Sequence, residues 1–370
     1  MLDIKLKLTP SHTSERIWME PSPLRTLFWN ITYACNFHCG ICFTNAGKRS
    51  PHELTTRETM DMLENAHAAG VDNIIISGGE PFARKDIIDI LAYMAKLGIK
   101  ARIASNGSML NDDILNRLRN ETLTKSFQIS LDTLDPDLYS RIHGVPPEML
   151  TTALNTLRSI KKAGFHTTVS TRLTPHTLSG IPQLLDRARE EGWATVTIHI
   201  PLLIGRSIDA FTQNADFLTL LEPAFEHFIA LPATWLIEMY IPWAQYHPTA
   251  KRIGEKIKVM YVGCRAGRDR LTVNPCGDIS VCVCFDVPEL YLGNIRKDNL
   301  SDVFQNSQIC DMMLHPEKYG ICKNCANVMT CGGGCRVAAY AITGRFEGQD
   351  ESCPVYKHRA AGREEVTGEN

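Results

Sequence analysis

From about residue 25 to residue 205 the chain alternates short apolar runs with longer stretches in which apolar residues recur every three or four positions. The short runs are Leu27–Thr32, Asn73–Ser77, Lys100–Ala104, Ser126–Ser130, Thr167–Leu173 and Thr195–Pro201. They are rich in β-branched residues and nearly continuous in apolar character, the pattern of parallel strands buried on both faces. The periodic stretches Thr56–Ala69, Lys85–Leu97, Asp112–Asn120, Glu148–Ala163 and Ile181–Glu191 predict amphipathic helices. Gly70, Gly98, Gly164 and Gly192 stand near the ends of several of them, where a glycine closes a helix. Strand–helix units in series imply an α/β fold with right-handed crossovers, closed either as an open doubly wound sheet or as a partial (β/α)6 TIM-like barrel. In both, chemistry is expected at the C-terminal ends of the strands.

The flanking regions read differently. Residues 1–24 form an extension in which Leu2, Ile4, Leu6 and Leu8 alternate with polar positions, a strand pattern rather than the unbroken apolar stretch of a secretory signal. The core spans 25–215. Residues 216–260 read as a connecting helical segment, with Asp216–Leu231 its clearest helix. Phe228–Trp243 is the most apolar later stretch, but Pro232 and Glu238 interrupt it and no membrane span is expected. Residues 261–358 are rich in cysteine and glycine and predict a small metal-held module, and 359–370 a polar tail.

Composition sharpens this picture at one point. With 39 basic and 41 acidic residues the charge is near balance, which offers no net field for nucleic acid or anionic lipid. Thirteen cysteines in a chain with no export signal place the protein in the cytoplasm, where thiols stay reduced, and point to metal or redox chemistry.

Three of them stand directly after the first strand as Cys35-x3-Cys39-x2-Cys42. Three thiolates on one loop can hold three irons of a four-iron cluster and leave the fourth iron open. The plainer alternative is a zinc knuckle with His38 or a distant residue as fourth ligand. The loop resembles the signature of the radical S-adenosylmethionine (radical SAM) enzymes, and the following loops agree in order. Ser77-Gly78-Gly79-Glu80-Pro81 resembles the turn that lies against the methionine amino group. Ser130-Leu131-Asp132 is similar to the family's ribose and carboxylate contacts, and Arg141 stands where relatives place an arginine on the methionine carboxylate. A lone loop arginine is otherwise simply solvated. One departure is Ile41, where relatives commonly carry an aromatic residue near the adenine; Phe43 follows just beyond.

The C-terminal cysteines run Cys264-x12-Gly277-x4-Cys282, then Cys322-x2-Cys325-x5-Cys331-x3-Cys335, then Cys353. A zinc ribbon would account for four of these. The order resembles the SPASM extension of a radical SAM subgroup, which holds two auxiliary iron–sulfur clusters. The resemblance implies Cys264, Cys282 and Cys335 on one cluster and Cys322, Cys325, Cys331 and Cys353 on the other. The first set lacks a fourth ligand; Cys276 is preferred over Cys284, and an open or two-iron site is the alternative. Cys310 lies in a helical pattern and reads as a buried apolar residue.

The resemblance further implies reductive cleavage of S-adenosylmethionine (SAM), hydrogen abstraction from a substrate, three clusters in all, and an external electron donor of the flavodoxin or ferredoxin type. Oxidation or crosslinking of a ribosomally made peptide is the expected reaction. The arrangement looks most like the maturases of the pyrroloquinoline quinone and mycofactocin type, including Ile198–Pro201 leading to Gly205-Arg206. The residues ahead of the first strand are too few for a leader-binding domain, so a separate leader-binding protein is expected. Tetrapyrrole side-chain processing or small natural-product oxidation are rivals within the same chemistry, and a non-catalytic electron-transfer protein is the rival from another class.

Overall fold

The computed structural model describes residues 3–7, 15–17, 22–199, 204–206, 236–240, 252, 258–262, 264–325, 328–348, 350 and 353. The chain divides into two compact units. The larger comprises Glu20–Phe211 and Arg265–Asp311; the smaller comprises Met1–Met19, Thr212–Cys264 and Met312–Asn370.

The strands in chain order are β1 (Asp3–Lys7), β2 (Glu15–Ile17), β3 (Thr26–Asn30), β4 (Asn73–Ser77), β5 (Lys100–Ser105), β6 (Thr124–Ser130), β7 (His166–Arg172), β8 (Thr195–His199), β9 (Leu236–Tyr240), β10 (Lys258–Val262), β11 (Arg270–Val273), β12 (Asp278–Ser280) and β13 (Gly293–Asn294). Helices α1 (Thr56–Ala68), α2 (Ile87–Lys96), α3 (Asp112–Glu121), α4 (Pro136–His143), α5 (Met149–Lys162) and α6 (Ile181–Glu191) connect the strands of the larger unit.

In that unit β3 to β8 lie side by side in chain order and parallel, which is the partial (β/α)6 barrel. The sheet does not stop at β3. There β11 adds parallel to β3, and β12 and β13 follow antiparallel. An in-register row crosses Val273, Trp29, Ile76, Ile103, Phe127 and Thr167, every member buried. The opposite face is more polar than the sequence pattern suggests. Gln128, Ser130, Ser170, Arg172, Thr197 and His199 share it, because side chains two apart along a strand point the same way.

Local signals account for the helices. Thr55 and Glu58 form a reciprocal capping box at the start of α1. The stretch containing Arg141, read from sequence as a loop, is helix α4. Asp135 caps it by accepting from the amides of Asp137 and Leu138, Pro136 supplies the first residue, and Gly144 closes it at φ 63°.

Residues 265–311 lie in the larger unit and pack on its core strands. Leu54 donates to the Pro275 carbonyl, Arg296 pairs with Glu58 at 2.6 Å, and Asn65 bonds the Asp298 carbonyl and the Leu300 amide. The segment 216–260 is not wholly helical, since β9 lies within it and β10 begins at its end; both flank β1 antiparallel, with β2 parallel to β10. The expected helix Asp216–Leu231, the strand end Ile200–Pro201 and the tail 359–370 lie outside the described residues. Among the described residues no helix is long and apolar enough to cross a membrane.

Leu271 on β11 is fully buried. Leu271→Ala should therefore cost the larger unit about 2–5 kcal/mol by leaving a cavity beside β3, read as a lowered urea midpoint. Unchanged core stability would mean that 265–311 is not integral to the unit.

Candidate active site

The loop between β3 and α1 carries Cys35, Cys39 and Cys42, all half-buried. Four separate pieces of the larger unit grip it. From within, the buried Glu53 carboxylate accepts from the Thr32 hydroxyl, the Tyr33 and Ser50 amides and Arg49. From the turn after β4, the Gly79 amide donates to the Thr32 carbonyl at 2.7 Å and the Glu80 amide to Ala34 at 2.8 Å. A Cβ on Gly79 would meet the Ala34 oxygen at 2.1 Å, so no side chain fits there. From the end of α4, the carbonyls of Ile142 and His143 accept from Gly40 and His38. Arg206 donates its amide to Cys42 O and its guanidinium to Cys39 O and Ala46 O.

The thiols differ in acidity. Burial pushes Cys39 up to about 12 despite the nearby charge of Arg172. Burial also raises Cys35. At Cys42 burial acts the same way, but hydrogen bonds from Thr44 and the Ala46 amide, with the charge of Arg206, outweigh it and leave this thiol below its ordinary value. Cys42 is thus the thiol most readily deprotonated for metal.

The other expected residues divide. Gly78, Gly79 and Pro81 stand at the C-terminal end of β4 against the cysteine loop, and Ser130 lies at the end of β6 on the polar face. The Glu80 carboxylate is fully buried and turns inward, accepting from Ser105 Oγ and from the amides of Asn106 and Phe82. Asp132 is also buried. It faces His143, whose Nε2 lies 3.2 Å from Asp132 Oδ2, off the line of a straight hydrogen bond, while Nδ1 lies 3.4 Å from Cys39 Sγ. Burial would raise the Asp132 carboxyl, but His143 and Arg172 outweigh it and hold it below the ordinary carboxylate value. Arg141 is exposed on the outer side of α4, opposite the buried Tyr139, Ile142 and His143.

Two residues of the polar face went unread in the sequence. The Arg172 guanidinium lies 5.7 Å from the centre of the Phe43 ring, and its side chain has no hydrogen-bond partner among the described residues. Its neighbour in register, His199, lies 3.3 Å from Gln128 and is pushed down to about 3 by burial and by Arg172, so it stays neutral. Ile41 is buried, and Phe43 fills the position beneath Arg172.

In the smaller unit burial raises the Cys322 and Cys331 thiols, Cys331 to about 12, and the neighbouring Cys325 and Cys353 sulfurs act on both in the same direction. The Gly333 amide donates to Cys331 Sγ at 3.2 Å. Gly332, Gly333 and Gly334 all take positive φ, which lets the chain turn between Cys331 and Cys335. Cys264 and Cys335 belong to this unit and Cys282 to the larger. Cys276 turns its thiol to Ser50 Oγ at 3.7 Å, whereas Cys284 hydrogen-bonds Cys282. Cys310 is buried.

The Radical SAM superfamily model matches residues 29–179, and the SPASM iron-sulfur cluster-binding domain model matches 264–326. The chain carries a radical SAM domain and a SPASM domain. A mycofactocin maturase, MftC, of Mycobacterium ulcerans is 27% identical over 88% of this chain and 87% of its own length. An AdoMet-dependent heme synthase of Methanosarcina barkeri is 28% identical over 90% and 97%. The crystal structure of Streptococcus suis SuiB bound to precursor peptide SuiA superposes with TM-score 0.71 at 20% identity, over 90% of this chain and 76% of that one.

Radical SAM proteins use SAM and a 4Fe–4S cluster, and SPASM domains hold auxiliary clusters. The residues present fit those groups. Three thiols share one firmly held loop, the backbone at Gly78 and Gly79 leaves no room for side chains, and the Arg172 guanidinium stands at the strand ends over the Phe43 ring.

Burial lifts Glu80 to about 7 from an ordinary 4.5, against hydrogen bonds that favour its ion. A carboxyl raised in the folded state stabilises the fold at low pH, and that contribution fades as pH rises from about 4.5 to about 7. Glu80→Gln should flatten the pH dependence of unfolding free energy across this window. A slope equal to the wild type's would contradict the assignment.

Proposed function

We propose that the protein reductively cleaves SAM and uses the resulting 5′-deoxyadenosyl radical to take a hydrogen atom from a ribosomally made peptide, which it oxidises or crosslinks. The observation that carries this reading is the gripped loop of Cys35, Cys39 and Cys42 at the C-terminal ends of a parallel half-barrel. When bound, a 4Fe–4S cluster with one open iron supplies the electron that breaks the carbon–sulfur bond of SAM.

The chain's own residues hold and orient. Cys35, Cys39 and Cys42 bind the catalytic cluster. The 78–81 turn offers backbone groups to the methionine end, and Ser130 contacts the nucleoside. Arg172 takes the part expected of Arg141, because a guanidinium braced on an aromatic ring, with no side-chain hydrogen bond among the described residues, is preorganised for a carboxylate. Asp132 orients His143 rather than touching the ligand. Cys322, Cys325, Cys331 and Cys353 bind one auxiliary cluster. Within the larger unit Cys284 lies against Cys282, whereas Cys276 turns to Ser50.

Peptide modification is supported by likeness to a mycofactocin maturase and by the fold of SuiB, solved with its precursor peptide. Tetrapyrrole processing is the second reading, because a heme synthase is just as similar. A flavodoxin- or ferredoxin-type donor supplies the electron in the cytoplasm, and a separate leader-binding protein presents the peptide. A short precursor-peptide gene beside this one supports the first reading; a tetrapyrrole operon overturns it.

Anaerobically reconstituted protein with dithionite and SAM should yield methionine and 5′-deoxyadenosine, and a variant lacking Cys35, Cys39 and Cys42 should yield neither. No cleavage by the wild type, or cleavage retained in the triple variant, defeats the proposal. In equilibrium dialysis Arg172→Gln should weaken SAM binding by roughly tenfold or more, the worth of a charge-assisted hydrogen bond. Arg141→Gln should bind like the wild type. The reverse ranking would restore Arg141 to the site.

A further inference from the structure

The radical SAM and SPASM stretches meet within the larger unit at a side chain that belongs to neither cysteine set. Asp286 follows Cys284 by two residues and is half-buried. Its Oδ2 accepts from the Tyr33 hydroxyl at 2.6 Å, and its Oδ1 accepts from the Tyr291 hydroxyl at 2.7 Å and from Asn274 Nδ2 at 2.8 Å. Tyr33 stands two residues before Cys35, in the segment onto which the 78–80 turn docks. Its own carbonyl accepts from Gly47, and its neighbours Thr32 and Ala34 receive the Gly79 and Glu80 amides.

We infer that Asp286 is a positioning residue for the catalytic cysteine loop, acting through the Tyr33 hydroxyl. The inference rests on reading Cys35, Cys39 and Cys42 as ligands of the catalytic cluster. A carboxylate with three donors is held in one place, and Asn274 is itself fixed by Asp278 at 3.1 Å. Tyr33 is thereby tied to a rigid hairpin through its one polar atom. The backbone of residues 32–34 cannot shift without breaking a short bond to an ion. Because the 78–80 turn rests on that backbone, the geometry offered to SAM depends on a residue more than two hundred positions away. Asp286 continues the turn closed by the Phe285 amide on the Cys282 carbonyl at 2.8 Å. A change at Cys282 or Cys284 thus has a direct route to the catalytic loop.

The test uses the full chain, reconstituted anaerobically, with SAM as probe. Tyr33→Phe removes one hydroxyl and no charge; Asp286→Asn removes the charge. Each should weaken SAM binding by roughly tenfold, and each should change the SAM-dependent part of the reduced cluster's electron paramagnetic resonance spectrum. The double variant should be no worse than the weaker-binding single one, as for two ends of one contact. Should Asp286→Asn fail to fold, Tyr33→Phe decides alone. Wild-type affinity and spectrum in Tyr33→Phe overturn the inference, as does a loss of affinity that merely tracks lost iron and lost thermal stability. If the wild-type protein itself neither binds nor cleaves SAM, it is the proposed function that fails.

Discussion

The core is organised around the close approach of residues 78–80 to residues 32–34. Two amides meet two carbonyls there, at a separation that leaves no space for a Cβ on Gly79. Backbone contact of this kind cannot be made by rotating a side chain; it requires both loops to be rigid before they meet. Each loop is made rigid by one buried acid. Glu53 gathers donors from the cysteine loop, and Glu80 gathers Ser105 and two amides beneath the turn. Neither carboxylate is left free for a ligand, and their burial is tolerated because nearly every lone pair has a donor.

This division of labour explains why the polar face of the sheet is lightly charged. Asp132 accepts from the Arg172 amide at 2.5 Å beside His143, His199 is held neutral, and the Arg172 guanidinium offsets the Asp132 carboxylate. The buried in-register row from Val273 to Thr167 on the other face supplies the rigidity.

Much of this was legible in the sequence. Asn73–Ser77 and Ile181–Glu191 coincide with the observed elements, and other boundaries differ by a few residues. Cysteine spacing marked the loop after β3 because three thiols close together in the chain leave a local signature. Contacts made through side-chain direction were less accessible. Arg141 and Arg172 are both plausible cations on paper, and only the facing of α4 and β7 separates them. Helix α4 could have been read from Asp135-Pro136 as a cap followed by a first-turn proline. The contact of Asp132 with His143, eleven residues on, is made only when α4 forms and has no local signature. Nothing local in residues 265–311 announces that they complete a sheet begun at residue 26.

That completion bears on how the protein is made. The strand that leads into Cys35, Cys39 and Cys42 has β4 on one side, available early in synthesis, and β11 on the other, nearly 250 residues later. Until Arg270–Val273 leaves the ribosome, β3 is an open sheet edge, with Leu27 and Trp29 next to an uncovered flank. Pairings of such high sequence separation form slowly. A cell producing this enzyme therefore has reason to shield the nascent core, and iron delivered before the chain is finished would meet a loop whose walls are not yet all in place.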